Sequence, residues 1–250
     1  MRQLRVFQPA ATAAVMLVSL LVSHDTAEAQ DGYLFRQPQV TLGLRVGGAL
    51  PNAGSDIFDF LTSELTIDRS DFAAISVGGD VGIRLAPQID LLLSGSVARS
   101  STQSEFREWT DNNDLPIEQE TKFTRVPVAA SIKYYFAPRG RSLSKFAWVP
   151  ERFLPYFGVG AGVMWYKLEQ AGDFVDFESL AVFPDQFESS GTTPMVHALA
   201  GAEWWFTPRV GLTVDGRYAW AKADLDVDYS EWGSINLSGF QLTTGLALRF

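Results

Sequence analysis

Tyr156-Phe157-Gly158-Val159-Gly160-Ala161-Gly162-Val163-Met164-Trp165-Tyr166-Lys167 keeps one parity apolar from end to end. Phe157, Val159, Ala161, Val163 and Trp165 fall on one side, and Gly158, Gly160, Gly162 and Met164 on the other. A helix would scatter these side chains around its axis, whereas a strand points alternate residues to opposite faces and turns the same order into one continuous oily face. The glycine-rich face leaves space. A run of this kind is a strand with something apolar on one side and long side chains of other strands on the second.

The same alternation recurs in seven other stretches. Residues 39–50 set Leu42, Leu44 and Val46 against Thr41, Gly43, Arg45 and Gly47, and residues 70–86 set Ile75, Val77, Val81, Ile83 and Leu85 against Ser76, Asp80 and Arg84. Residues 89–104 oppose Ile89, Leu91, Leu93 and Val97 to Asp90, Ser94 and Ser96; residues 121–137 oppose Val126, Val128, Ile132, Tyr134 and Phe136 to Arg125, Ser131 and Lys133. In 193–206, Val196, Trp204 and Phe206 face away from His197 and Glu203; in 209–222, Val210, Leu212, Val214 and Trp220 face away from Asp215 and Arg217. Residues 235–250 end the series, with Phe240, Leu242, Leu246, Leu248 and Phe250 opposite Gln241, Thr243, Gly245 and Arg249.

Eight such stretches of about ten residues match tilted strands crossing a hydrocarbon layer. The predicted fold is all-β: a closed, eight-stranded, antiparallel up-and-down transmembrane barrel. A soluble barrel would put the large apolar residues inside, and a sandwich would cover them with a second sheet. Here the other face carries Arg45, Asp80, Arg84, Arg125, Lys133, Glu203, Asp215, Arg217 and Arg249, which we expect to form an ionic network in the lumen. Aromatic residues favour lipid, because counting from the short turns places Tyr134, Phe136, Trp204, Phe206 and Phe250 at one height and Trp165, Trp220 and Phe240 at another. Paired aromatic girdles mark the two interfaces of a bilayer.

The connections alternate in length. Short turns at 87–88 and 207–208 share one rim with a longer basic connection, 138–155, whose Arg139, Arg141, Lys145 and Arg152 are expected on a small periplasmic flap. Four long polar loops share the other rim, and residues 174–183 are the expected place for additional hairpin structure. Residues 1–29 read as a signal peptide. Arg2 and Arg5 precede an apolar run at 10–22, and Ala27-Glu28-Ala29 suits a signal peptidase, so residues 30–250 form the barrel domain. Cysteine is absent, and the net charge of −9 argues against a nucleic-acid partner.

Gly239-Phe240-Gln241-Leu242-Thr243-Thr244-Gly245-Leu246-Ala247-Leu248-Arg249-Phe250 resembles the closing strand of outer-membrane barrels. With Tyr156 to Gly162, the chain resembles the small eight-stranded family related to the transmembrane domain of OmpA, without a peptidoglycan-binding domain. The resemblance implies a bacterial outer membrane, lipid and lipopolysaccharide as surroundings, recognition of the last strand by the barrel-assembly machinery, and a monomer. OmpW-like members of such barrels suggest a carrier or narrow porin-like channel as the alternative to a structural or surface-contact role. Lipid A deacylases resemble the architecture too, but they use His-x-Ser on the lipid face, whereas this chain reads His197-Ala198-Leu199.

No enzyme activity, cofactor or metal centre is therefore expected. Gly158-Val159-Gly160-Ala161-Gly162 lies within a strand and lacks the helix that a phosphate loop requires. Within the lumen, Arg45 and Asp80 are expected to pair across strands, and Glu203, Asp215 and Arg217 to cluster near Lys133 and Arg249. The outer loops hold most of the 29 acidic residues, among them Asp56, Asp59, Glu64, Glu105, Asp111, Glu120, Glu169, Glu178, Glu188 and Asp228. Such carboxylates suit solvated loops, or divalent cations bridging to lipid phosphates.

Overall fold

The structure, a computed structural model, describes residues 33–110, 114–144, 146–176, 179 and 181–250. The expected signal peptide, residues 1–29, lies outside the described residues, as do Asp111, Lys145 and Glu178. Among the described residues no helix is long and apolar enough to cross a membrane, which leaves strands as the spanning elements.

Eight strands close on themselves: β1 (Val40–Pro51), β2 (Ala74–Ala86), β3 (Ile89–Thr110), β4 (Pro116–Tyr135), β7 (Phe153–Val175), β8 (Val182–Trp205), β9 (Val210–Asp224) and β11 (Gly239–Arg249). Each is antiparallel to its neighbours, and β11 returns to β1 with Thr41 opposite Arg249, which closes the ring. Between β4 and β7, β5 (Gly140–Ser144) and β6 (Ala147–Pro150) form a separate hairpin in the predicted flap. A helix, α1 (Asp56–Glu64), and a short β10 (Ser234–Asn236) occupy the outer loops.

The facing decides between a soluble and a membrane barrel. Leu44 and Val159 are each 60% exposed and Val77 55%, while Arg45 and Asp215 are 6% and 3% exposed. Apolar residues point away from the axis and charges toward it, the polarity of a lipid-embedded barrel. All eight expected girdle residues, Tyr134, Phe136, Trp204, Phe206, Phe250, Trp165, Trp220 and Phe240, are exposed on the outer wall. Near the short turns, Tyr134 and Phe136 contact Phe157, and Trp204 contacts Phe153.

Four strands run further than the alternation predicted. β3 reaches Thr110, β4 starts at Pro116, β7 reaches Val175 and β8 starts at Val182, and Phe174 pairs with Phe183 where extra hairpin was expected. The reason is an inversion of polarity along the same strands. On β4 the outward series Phe136 to Val126 gives way to Thr124, Lys122 and Glu120, and the inward series Lys133, Ser131, Ala129 and Arg125 gives way to Phe123, Thr121, Gln119 and Ile117. Above that level the outside of the sheet is in water and the inside is a core. The eleven residues from Val126 to Phe136 make an apolar band on the order of 25 Å tall once strand tilt is included.

Two further differences are local. Residues 70–72, expected at the start of the second strand, belong to a 3-10 turn, Arg69–Phe72. The predicted last strand breaks at Leu237-Ser238, where Leu237 turns fully inward, so its outer part is the separate β10.

Candidate functional site

The lumen is closed by two ionic layers and, above them, an apolar plug. Nearest the short turns, Glu203 on β8 is 2% exposed and takes four donors. Lys133 Nζ lies 2.6 Å from Oε1 and Arg249 Nη2 3.1 Å from Oε2. The Tyr135 hydroxyl donates to Oε1 at 2.8 Å and the Trp205 indole to Oε2 at 2.9 Å. Lys133 also sits 3.6 Å above the Tyr156 ring, and the Arg249 guanidinium 3.3 Å above that of Trp205. A carboxylate away from water is stable only when its lone pairs are filled in this way.

Beside Glu203, Asp90 of β3 accepts from Arg139 Nη1 at 2.7 Å. One layer outward, Arg45 Nε lies 2.7 Å from Asp80 Oδ2, and its Nη1 is 3.5 Å from Asp215 Oδ1. Asp215 also meets Arg217 at 3.6 Å and accepts from the Tyr156 hydroxyl at 3.0 Å. The void between the layers is about 20 Å3, space for water alone. Glycines make the layers possible: a Cβ on Gly43 would stand 2.6 Å from Asp80 Oδ1, and one on Gly245 would stand 2.9 Å from Arg45 Cγ.

Arg45 and Asp80 meet diagonally, since Arg45 is opposite Gly78 and Asp80 opposite Gly43. The expected single cluster of Glu203, Asp215 and Arg217 is two. Register places Glu203 opposite Thr213 and Asp215 opposite Gly201, so the two carboxylates belong to different layers. Arg84 and Arg125 pair with no carboxylate among the described residues. Asp90, directly opposite Arg84, gives its carboxylate to Arg139, and Arg84 Nε turns to the Ala86 carbonyl at 3.4 Å. Arg125 stands above both layers and donates to the Leu237 carbonyl at 3.3 Å. Arg139, assigned from sequence to the flap, is 3% exposed and belongs to the inner layer.

The first outer loop plugs the other end. Ile57, Phe58 and Leu61 of α1 are buried, while Asp56 and Asp59 begin the helix, where carboxylates suit its N-terminal dipole. Phe58 stacks edge-on against Phe72 and Phe123, and Leu65 bridges to Phe106 of β3. Met164, Tyr166, Leu168, Ile117 and Ile235 complete this core from the barrel wall. Tyr229 also joins it, its hydroxyl donating to Gln170 Oε1 at 2.8 Å, and burial pushes the ionisation of that hydroxyl well up. The outer acids instead find surface cations: Asp59 meets Arg69, Glu120 meets Lys122, and Glu169 and Glu188 meet Lys167. Among the described residues no three carboxylates or histidines converge as a metal ion requires.

The wall has one irregularity beside this plug. β8 pairs with β9 only as far as Met195 opposite Ala221, although it continues outward against β7. Above the break, a recess of about 810 Å3 runs from Ala161, Val196 and Trp220 to Ser55, Asn236 and Ser238. His197, below it, is 2% exposed and faces the lumen, with Nε2 2.8 Å from Ser131 Oγ. The Ser131 hydroxyl is equally buried, so the pair offers no open nucleophile.

Closed strands, an apolar outer band and a charged, filled interior define a transmembrane β-barrel of the outer-membrane type. The chain is similar to the outer membrane protein OprG from Pseudomonas aeruginosa at a TM-score of 0.51 and 9% identity, covering 87% of this chain and 99% of that one. It is also similar to Neisserial surface protein A (TM-score 0.45, 13% identity, 84% of this chain and 96% of that one). A third likeness is to Ail, the attachment invasion locus protein of Yersinia pestis (TM-score 0.39, 13% identity, 88% and 100%). No protein-family model and no curated protein matches the sequence. The OprG likeness concerns the fold.

Proposed function

We propose that this protein is a bacterial outer-membrane barrel with a structural or surface-contact role, and that it is not a pore. The observation behind this reading is the closure of the lumen in series, by the Glu203 layer, the Arg45 layer and the α1 plug. An ion crossing in either direction would have to displace paired charges and pass an apolar core, each step costly without water. What remains open to partners is the outer wall of β3, β4, β7 and β8, which rises beyond the lipid band and carries Glu120, Glu169 and Glu188. In this reading residues 1–29 direct export, the strand ending at Phe250 serves the assembly machinery, and lipopolysaccharide surrounds the outer rim.

Planar-bilayer recording tests it. Purified barrel incorporated in measurable amount is expected to give no discrete current steps, and reproducible steps would overturn the structural reading. A second reading, a carrier of small apolar molecules, is favoured by the recess between β8 and β9, which joins the lipid face to the underside of the first loop. It predicts saturable binding of a fluorescent fatty acid by the barrel in nanodiscs, lost in Ala161→Trp, which fills the recess.

A further inference from the structure

Between the Arg45 layer and the apolar plug lies a second void, of about 40 Å3. Its polar lining is Arg125, Arg217, Ser76, Ser94, Ser96 and Gln241. All six carry hydrogen-bond donors, and none is a carboxylate.

The charges around this void do not balance. Arg45, Arg217, Asp80 and Asp215 sum to zero one layer inward. Arg125, 7% exposed, adds a further positive charge, and among the described residues it meets the Leu237 carbonyl and, at 5.7 Å, the face of Phe123 rather than a carboxylate. Arg217, 8% exposed, uses Nη1 on Ser94 Oγ at 2.9 Å and leaves Nε and Nη2 without a hydrogen-bond partner. Its closest carboxylate oxygen, on Asp215, is shared with Arg45. Gln241 donates toward Ser76 and Ser96, which orients hydroxyls around the same space.

We propose that the void binds one small inorganic anion of the halide type, held between Arg125 and Arg217. An uncompensated guanidinium inside a wall that faces hydrocarbon on its other side costs more than neutral hydroxyls return. A single monovalent anion supplies the missing charge and meets donors from the two arginines, the three serines and Gln241. The volume suits a monatomic ion with at most a water or two. The two arginines come from β4 and β9, so the ion ties opposite parts of the wall together just beneath the plug.

The test is to refold and crystallise the protein in bromide and collect anomalous diffraction. One bromine peak within hydrogen-bond reach of both guanidinium groups is expected, and density for water alone overturns the site. A second readout is the urea midpoint for unfolding from vesicles, at constant ionic strength, in bromide and in gluconate. The wild-type midpoint is expected to rise with each decade of bromide, and R125Q to lose that dependence. Should R125Q fail to fold, S96D places a carboxylate in the void and is expected to remove the dependence while holding the midpoint at or above the wild-type value in bromide. Equal wild-type midpoints in bromide and gluconate overturn the proposal.

Discussion

Arg139 and Asp90 are separated by 49 residues, yet Nη1 and Oδ2 lie 2.7 Å apart and both side chains are almost wholly enclosed. The arginine opens the flap and the aspartate opens β3, so this pair fastens the flap across the inner mouth. The flap's own hydrogen bonds agree, with Trp148 joined in both directions to Leu34 of the segment before β1. Arg139 → Met leaves Asp90 charged and enclosed, and is expected to cost roughly 3–5 kcal/mol in urea unfolding from vesicles. The double variant with Asp90→Leu is expected to recover most of that loss. Trypsin sensitivity at the exposed Arg141 reports on the flap separately, and is expected to rise in Arg139→Met. Unchanged cleavage would mean that the hairpin holds its place without the ion pair.

Neighbouring glycines on β1 test the facing of the wall. A Cβ on Gly47 would lie 2.6 Å from Thr243 Cα and would strike the Leu242 carbonyl, whereas one on Gly48 would meet nothing within 4 Å. Gly47→Ala must push β1 away from β11 and is expected to cost about 1–3 kcal/mol or more. Gly48→Ala points into lipid and is expected within about 0.5 kcal/mol of wild type. Paired urea midpoints decide it, and equal effects would mean that the parity of β1 is misassigned.

The facing was legible because a lipid-spanning strand has little freedom: each step of Val159, Ala161 and Val163 must meet hydrocarbon, and a one-residue slip would bury the oil and expose Arg45 or Asp215. Register was less so. Parity alone brings Glu203 and Asp215 to the same lumen but cannot distinguish heights one pair apart, and those heights assign them to different layers. Arg139 was hidden for another reason, since it follows a strand and belongs to no periodic pattern. The outer ends of β3, β4 and β7 were read as loop because Phe106, Ile117 and Leu168 turn inward there, reversing the rule that identified their lower halves. In the first loop the spacing of Ile57, Phe58, Leu61 and Leu65 is that of an amphipathic helix. Its acids, Asp56, Asp59 and Glu64, drew the reading toward a solvated loop.

That helix gives the last prediction. Phe58 is fully buried, with its ring edge-on to those of Phe72 and Phe123. Phe58→Ala therefore removes packing alone, and is expected to lower stability by about 3–5 kcal/mol with a local rise in hydrogen exchange across residues 56–72. Bilayer recording of the same variant is expected to stay silent. The plug and the ionic layers stand in series, with Arg45 paired to Asp80 and Lys133 to Glu203. Loosening the outer closure leaves the inner two intact. Current steps in Phe58→Ala would show instead that α1 alone holds the barrel shut and that ions pass the paired charges freely.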